Sequence, residues 1–189
     1  MNILYIHGFG SQFDKSSDKV VLLETIGTVF GVTVDYTEPV ETVSKLLMEA
    51  IIAYSIDLII GTSMGGYWAN RMGATSGIPF VAINPAIAPQ QTLQKYLGSG
   101  MTYHDTPFYL AKQVVEQYSD FRLVGCGLIL LDLGDEVLDP LKTCELLSTR
   151  FTVKVFPEGN HRFTHLEESL PIIKDFYHVS ECVYGFDEN

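Results

Sequence analysis

The residue best suited to chemistry in this sequence is Ser63, which stands in the run Gly-Thr-Ser-Met-Gly at positions 61–65. An apolar segment, 56–60, precedes this run and a helix-compatible segment, 67–72, follows it, so the sequence predicts a buried strand that turns directly into a helix. At such a turn the glycines let strand and helix approach closely, and the serine hydroxyl projects from the strand end as in a nucleophile elbow. A plain strand-to-helix loop is the alternative, because the five-residue pattern also arises by chance.

A serine hydroxyl is hardly ionised near neutral pH and needs a base to act as a nucleophile. His161 is the best placed of the five histidines, since it follows the last predicted strand, 151–156, through a turn at 157–160. This position is the carboxyl edge of the sheet, where open parallel sheets carry their active sites. The alternative is that His161 is a histidine of a surface loop. His165 lies four residues further on, but no glutamate separates the two and no third ligand is apparent, so we expect no metal.

An acidic residue between the serine and the histidine would orient the imidazole. Asp132 lies inside a predicted strand, whereas Asp139 precedes Pro140 as a helix N-cap would, which gives it a structural role. Asp135 follows a glycine at the strand end and is free to accept the imidazole N–H. We therefore predict Asp135 as the acid, with Asp139 as the first alternative and Asp132 and Glu136 after it.

Hydrolysis by a serine also requires donors for the negative charge that develops on the substrate oxygen. One donor would be the backbone N–H of Met64, directly after the serine. The other would come from the loop after the first predicted strand, where Gly8 lets the main chain turn and Phe9 would supply its N–H. His7 in the same loop is expected to brace it and to take no part in the chemistry.

Short apolar runs alternate with segments of helical spacing along the whole chain, 1–189. Strands are predicted at 3–6, 32–36, 56–60, 80–83, 128–133 and 151–156, and helices at about 20–30, 41–54, 64–76, 140–149 and 170–177. Parallel neighbours need crossover connections, so this alternation predicts an α/β fold with a mostly parallel sheet of about six strands and helices on both faces. The length fits a single domain.

The segment 86–122 interrupts this alternation with about 35 residues in which no strand is apparent. Such a length exceeds the usual connection in a compact domain, so we expect a short helical insertion that forms a cap or lid. Its aromatic content singles out Tyr96, Tyr103 and Phe108 as substrate-binding residues that form a roof over the site. Plain packing of an irregular region is the alternative.

Composition narrows the range of partners and compartments. A net charge of −11 and a pI near 4.7 disfavour nucleic acid and anionic membranes. Cys126, Cys144 and Cys182 are odd in number and contain no C-x-x-C pair, so neither a disulfide framework nor a zinc site is expected. Without an apolar run long enough for a bilayer, the expected location is the reducing cytoplasm. The sequence leaves the oligomeric state open.

Five ordered blocks of sequence together resemble the small bacterial esterases of the YqiA type, a UPF0227-like family of uncharacterised proteins within the α/β-hydrolases. They are 4–9 (LYIHGF), 61–67 (GTSMGGY), 84–86 (NPA), 134–139 (GDEVLD) and 159–163 (GNHRF). The resemblance covers nearly the whole chain and implies a small α/β-hydrolase fold that lacks the first strands of larger hydrolases. It also implies a catalytic triad of Ser63, Asp135 and His161. Thr62 replaces a serine common in the family, and Arg162 replaces a small residue and could alter substrate preference.

The expected activity is that of a serine esterase or thioesterase without a cofactor. It would cleave small-molecule esters or thioesters with small to medium acyl groups through an acyl-Ser63 intermediate. Two alternatives remain open at this point. One is a binding protein that keeps the hydrolase fold without turnover, and the other is an acyltransferase or amidase that uses the same residues.

Overall fold

The computed structural model describes residues 1–184, and side chains for residues 1–180. A six-stranded sheet, with every neighbouring pair of strands parallel, forms its centre. In sheet order the strands are β2 (Thr28–Phe30), β1 (Asn2–Ile6), β3 (Leu58–Thr62), β4 (Phe80–Ile83), β7 (Gly127–Asp132) and β8 (Thr152–Phe156). The predicted α/β class and strand number are therefore confirmed.

Helices cover both faces of this sheet. The first face carries α2 (Val40–Ala53), α3 (Met64–Ser76) and α6 (Pro140–Leu147), and the second carries α1 (Asp18–Leu23) and α7 (Leu166–Tyr184). Side chains of a strand alternate between the faces, and in β1 Leu4 and Ile6 pack in the first apolar core while Ile3 and Tyr5 pack in the second. The central strands β1, β3, β4 and β7 are thus apolar on both sides, which is why they appear in the sequence as continuous apolar runs.

The register of the strands determines where the functional side chains can meet. Ile6 pairs with Gly61, Thr62 pairs with Ile83, and Ile83 pairs with Leu130. The carboxyl ends of β1, β3, β4 and β7 therefore lie next to one another at one edge of the sheet. The loops that follow these strands leave the sheet together along this edge.

The first helix and the second strand differ from the prediction. The helix predicted over 20–30 ends at Leu23, and the strand predicted at 32–36 lies instead at Thr28–Phe30. The apolar residues of this strand happen to continue the helical spacing, which explains the overlong prediction. Val34 is buried like a strand residue, but its backbone N–H donates to an imidazole nitrogen rather than to a neighbouring strand.

The inserted segment 86–122 contains a two-stranded antiparallel hairpin, so the prediction of a purely helical insertion was wrong. Its elements are α4 (Pro89–Thr92), a 3-10 turn (Leu93–Tyr96), β5 (Gly98–Met101), β6 (Pro107–Leu110) and α5 (Lys112–Val115). Strand β5 reads Gly-Ser-Gly-Met and lacks the β-branched residues that mark strands in a sequence. Phe108 covers Gly100 instead, since an added Cβ at Gly100 would lie 2.4 Å from the phenyl ring.

The helices and the cysteines bear on the environment that the sequence predicts for the protein. No helix within the described part of the chain is long and apolar enough to cross a membrane. Cys126 and Cys144 are free thiols, and the side chain of Cys182 lies outside the described residues.

Candidate active site

Ser63 occupies the turn between β3 and α3 with a backbone φ of 58° and ψ of −116°. A non-glycine residue with positive φ is strained, and the surrounding structure holds it there. The Ser63 N–H donates to the carbonyl of Ile83, and the Ser63 carbonyl accepts from the N–H groups of Gly66 and Ala86. The strand, the helix and the loop after β4 together fix the direction of the serine side chain.

The glycines of the motif are required by close backbone contacts. A Cβ added at Gly61 would lie 2.0 Å from the carbonyl oxygen of Gly65, and one added at Gly65 would lie 2.0 Å from that of Ile6. Both distances are far below van der Waals contact between backbone atoms. The short distance between helix and strands thus depends on hydrogen at these two positions.

The side chains of Ser63, His161 and Asp135 form a continuous chain of hydrogen bonds. The Nε2 atom of His161 lies 2.9 Å from Ser63 Oγ, and its Nδ1 atom lies 2.8 Å from Asp135 Oδ2. A carboxylate only accepts hydrogen bonds, so the neutral imidazole carries its proton on Nδ1 and accepts the serine hydroxyl proton at Nε2. The imidazole is 19% exposed and the carboxylate 2% exposed, so the histidine is open to the groove while its partner is shielded from water.

The loop after β7 holds Asp135 in position. Its Oδ1 atom accepts hydrogen bonds from the backbone N–H groups of Val137 and Leu138. Asp139, the first alternative for the acid, instead caps helix α6 by accepting from the N–H of Lys142 at 3.0 Å. The two neighbouring carboxylates therefore have different partners, and Asp135 is the one in contact with the imidazole.

Glu136 is a further contact that the sequence reasoning left among the minor alternatives. Its Oε2 atom accepts the backbone N–H of His161 at 3.0 Å. This hydrogen bond lowers the pKa of the Glu136 carboxyl group. One short acidic loop thus holds His161 by its ring through Asp135 and by its backbone through Glu136.

Asp132 anchors the turn that carries His161, a role that the sequence reasoning missed. It is fully buried, and its Oδ2 atom accepts the backbone N–H groups of Asn160 and Thr164 at 3.2 and 2.9 Å. Its Oδ1 atom accepts the Nδ1 proton of His165 at 2.7 Å. His165 therefore pairs with a carboxylate, and no group of three metal-binding side chains was found in residues 1–180.

Asn84 at the end of β4 makes a second missed link. Its side-chain amide donates to the carbonyls of Asn160 and His161, and its Oδ1 atom accepts the backbone N–H of Asp132. The signal available in the sequence was a polar residue at the end of an apolar strand, directly before a proline. Asn84 and Asp132 together fix the His161 turn against the edge of the sheet.

The loop after β1 lies directly beside the serine. A Cβ added at Gly8 would lie 3.5 Å from Ser63 Cβ and 3.9 Å from Ser63 Oγ. His7 is 2% exposed and holds this loop, because its Nε2 atom accepts the N–H of Val34 and its Nδ1 proton is donated to the Gly8 carbonyl. Burial lowers the pKa of His7, which favours this neutral, bracing form. Phe9 follows Gly8 and borders the space around Ser63.

Two grooves meet at Ser63, and Phe9, Ser63, Tyr103 and His161 border both. The smaller groove has a volume of about 60 Å³ and runs under the insertion. Its other walls include Met64, Ala86, Leu93, Tyr96, Val137 and Leu138. The larger groove has a volume of about 490 Å³, which is within the range of small-molecule sites. Its other walls include Gln12, Ser17, Lys19, Arg162, Phe163 and Thr164.

Tyr96, Tyr103 and Phe108, which were predicted to form a roof over the site, lie at different places relative to Ser63. Tyr96 borders the smaller groove and stacks on Phe9 with ring centroids 5.0 Å apart. Tyr103 borders both grooves, and its backbone N–H donates to the carbonyl of Gly10. Phe108 borders a separate cavity of about 180 Å³ and contacts Phe9 edge to face at 5.3 Å. Tyr96 and Tyr103 are thus within reach of a ligand at Ser63, whereas Phe108 supports Phe9 from behind.

Comparisons with known sequences match nearly the whole chain. A family model described as an uncharacterised protein family, UPF0227, matches residues 2–178. A UPF0227 protein of Serratia proteamaculans is 31% identical over 180 residues, which cover 92% of this chain and 97% of that protein.

Two solved structures share the fold at low sequence identity. Est1E from Butyrivibrio proteoclasticus has a TM-score of 0.72 at 16% identity and covers 96% of this chain and 88% of its own. A monoacylglycerol lipase of Paleococcus ferrophilus has a TM-score of 0.69 at 16% identity, covering 95% of this chain and 94% of its own. The chain therefore has the α/β-hydrolase fold that the family resemblance implied.

Proposed function

The chain belongs to UPF0227, an uncharacterised protein family whose description states no reaction, and we therefore infer its function from the site. We propose that it is a serine hydrolase that cleaves carboxylic esters or thioesters of small to medium acyl groups. The observation that carries the proposal is the relay in which the His161 ring lies 2.9 Å from Ser63 Oγ and 2.8 Å from Asp135. Such an arrangement activates a hydroxyl for attack on an acyl carbon.

The reaction would begin with acylation of Ser63. Its Oγ forms a bond to the substrate carbonyl carbon while His161 Nε2 takes the hydroxyl proton. The imidazolium then gives this proton to the oxygen or sulfur of the leaving group as the ester or thioester bond breaks. An acyl-Ser63 ester and a free alcohol or thiol result. Asp135 holds the Nδ1 proton throughout and stabilises the positive imidazolium.

Deacylation would repeat these steps with water. His161 Nε2 takes a proton from a water molecule, whose oxygen bonds to the acyl carbon, and then returns the proton to Ser63 Oγ as the acyl–enzyme bond breaks. The products are a carboxylic acid and the free enzyme. In both steps the backbone N–H groups of Phe9 and Met64 would donate to the negative carbonyl oxygen, and each such donor typically lowers the barrier by roughly 3 kcal/mol.

Two further observations support this function. Ser63 is at the start of helix α3, where backbone N–H groups and the helix dipole favour negative charge. A protein of the same fold is described as a monoacylglycerol lipase, so the fold is compatible with ester hydrolysis.

A fluorophosphonate probe and a panel of p-nitrophenyl esters test the proposal. Wild-type protein should be labelled and should hydrolyse the short esters, and Ser63→Ala should lose both properties. Ser148→Ala is the matched control and should retain both properties, because Ser148 is exposed and lies at the C-terminal end of helix α6. Labelling that persists in Ser63→Ala would refute the nucleophile. Absence of both labelling and hydrolysis in wild type would favour a binding protein that keeps the fold.

A further inference from the structure

The two grooves at Ser63 differ in which half of a substrate each can hold. His161 must protonate the leaving group, and the residues after it in its own turn, 162–164, form a wall of the larger groove. Met64, whose N–H would hold the carbonyl oxygen, borders the smaller groove. Phe9 and His161 border both grooves, and an acyl group in the smaller groove beside Met64 with the alcohol or thiol half in the larger groove beside residues 162–164 is compatible with these roles.

The sizes of the grooves agree with this assignment. A cavity of about 150 Å³ binds a benzene molecule, so the much smaller 60 Å³ of the smaller groove suit a short acyl chain. The 490 Å³ of the larger groove accommodate a much bulkier group. The substrate halves are thus unequal, with most of the molecule on the leaving-group side.

The larger groove also brings two cations together. Lys19 and Arg162 both border it, although they are 143 residues apart in the chain, and the Lys19 ammonium donates a hydrogen bond to the Arg162 carbonyl oxygen. Burial, and after it the positive charge of Arg162, lower the pKa of Lys19 to about 8, against a smaller opposing effect of Asp132. The two charges are therefore close enough to repel each other.

The buried Asp132 carboxylate attracts the Lys19 charge, but no carboxylate of the described residues forms an ion pair with either cation. Among the described residues that border the groove, Asp18 is the one acidic residue, so their Lys, Arg and Asp side chains carry a formal charge of +1. The whole chain carries −11, so two cations together beside the serine stand out from a mostly acidic sequence, whereas Lys95 alone borders the smaller groove as a Lys or Arg residue.

Resting on the hydrolase function proposed above, we propose that the larger groove selects a leaving group with a carboxylate or phosphate. Lys19 and Arg162 would bind this anion while the short acyl group occupies the smaller groove and its carbonyl carbon faces Ser63. An anion between the two cations would relieve their mutual repulsion and satisfy their free N–H donors. The groove would then distinguish substrates by the charge of the half that is released.

Matched acetate esters of phenols test this selectivity. The anionic substrates are 4-carboxyphenyl acetate and 4-phosphonooxyphenyl acetate, and the methyl ester of the first is the neutral reference. The quantity measured is the ratio of kcat/KM for each anionic ester to that for the neutral ester. A variant that changes kcat/KM equally for all three substrates leaves this ratio unchanged.

The variants are Lys19→Gln and Arg162→Gln, singly and together. Glutamine at position 19 removes the positive charge of the Lys19 side chain, which bonds to the Arg162 carbonyl, while it keeps an N–H donor. Lys15→Gln is the matched control, since Lys15 is exposed and borders none of the described grooves. Each single replacement should lower the anionic-to-neutral ratio roughly three- to tenfold, and the double replacement should lower it further.

The outcomes separate this proposal from the hydrolase function on which it rests. A fall in the ratio for both anions supports the groove as a general anion subsite, and a fall for only one assigns it to a carboxylate or to a phosphate. A wild-type enzyme that hydrolyses the neutral ester but whose ratios do not change in the double variant overturns the proposal alone. A wild-type enzyme that hydrolyses none of the three esters and resists the fluorophosphonate probe overturns the hydrolase function itself.

Discussion

Replacing Asp132 with asparagine should destabilise the protein and weaken catalysis, although this residue does not touch Ser63. The buried carboxylate accepts hydrogen bonds from Asn160 N at 3.2 Å, from Thr164 N at 2.9 Å and Oγ1 at 3.3 Å, and from His165 Nδ1 at 2.7 Å. Asparagine keeps one oxygen for the backbone donors and places its NH2 group toward His165, whose ring can change tautomer and accept. The four contacts can thus persist, but without the negative charge.

The expected cost follows from that loss of charge. A hydrogen bond to a charged group contributes about 1.5–3 kcal/mol and one between neutral groups about 1 kcal/mol. Since the four bonds share one carboxylate and are not additive, we expect Asp132→Asn to cost about 2–4 kcal/mol of unfolding free energy. With a urea m-value of about 2 kcal/mol/M, the midpoint should fall by about 1–2 M.

Urea unfolding followed by the fluorescence of the single tryptophan, the buried Trp68, measures this change. Asp139→Asn is the matched control, because asparagine caps a helix about as well as aspartate and the midpoint should stay within a few tenths of a molar. In native buffer the kcat for p-nitrophenyl acetate should fall in Asp132→Asn, since the His161 turn loses its anchor. Equal midpoints for the two variants would refute the idea that Asp132 holds this turn.

Three further predictions concern the motif, the acid and the groove. Gly65→Ala should prevent folding to the native state, because its Cβ would lie 2.0 Å from a backbone oxygen. Gly8→Ala should fold, since the atoms nearest to its added Cβ lie 3.5 Å away, and circular dichroism spectra distinguish the two results. Asp135→Asn should lower kcat by roughly 10³–10⁴-fold with the fold intact, because an amide supports the wrong imidazole tautomer; a loss below tenfold in steady-state assays would contradict its role. The preference for 4-carboxyphenyl acetate over its methyl ester should decline as the pH rises through about 8, because Lys19 loses its proton there. Lys19 faces Arg162 and Asp132. A ratio of kcat/KM for the two esters that is independent of pH from 6 to 9.5 would contradict this.

The sequence alone determined the parts that depend on local pattern. A strand that packs on both faces must be apolar throughout, and a tight strand-to-helix turn must contain glycine, so β3 and the turn at Ser63 could be recognised from their own residues. The parallel arrangement followed from alternating strands and helices, and it implied that side chains after β3, β7 and β8 would share an edge. Ser63, Asp135 and His161 could therefore be expected to lie together before any distance was known.

Only the tertiary structure decided the contacts between residues whose own neighbourhood gives no signal. Asp132 appears in the sequence as the last residue of a strand, yet its carboxylate accepts donors 28 to 33 positions away. The hairpin in 86–122 is stabilised by a ring packed over a glycine rather than by β-branched residues, so its strands carry no periodic pattern. Lys19 and Arg162 come together because α1 and the last loop cover neighbouring parts of one edge, and such proximity is a property of the folded chain rather than of any segment.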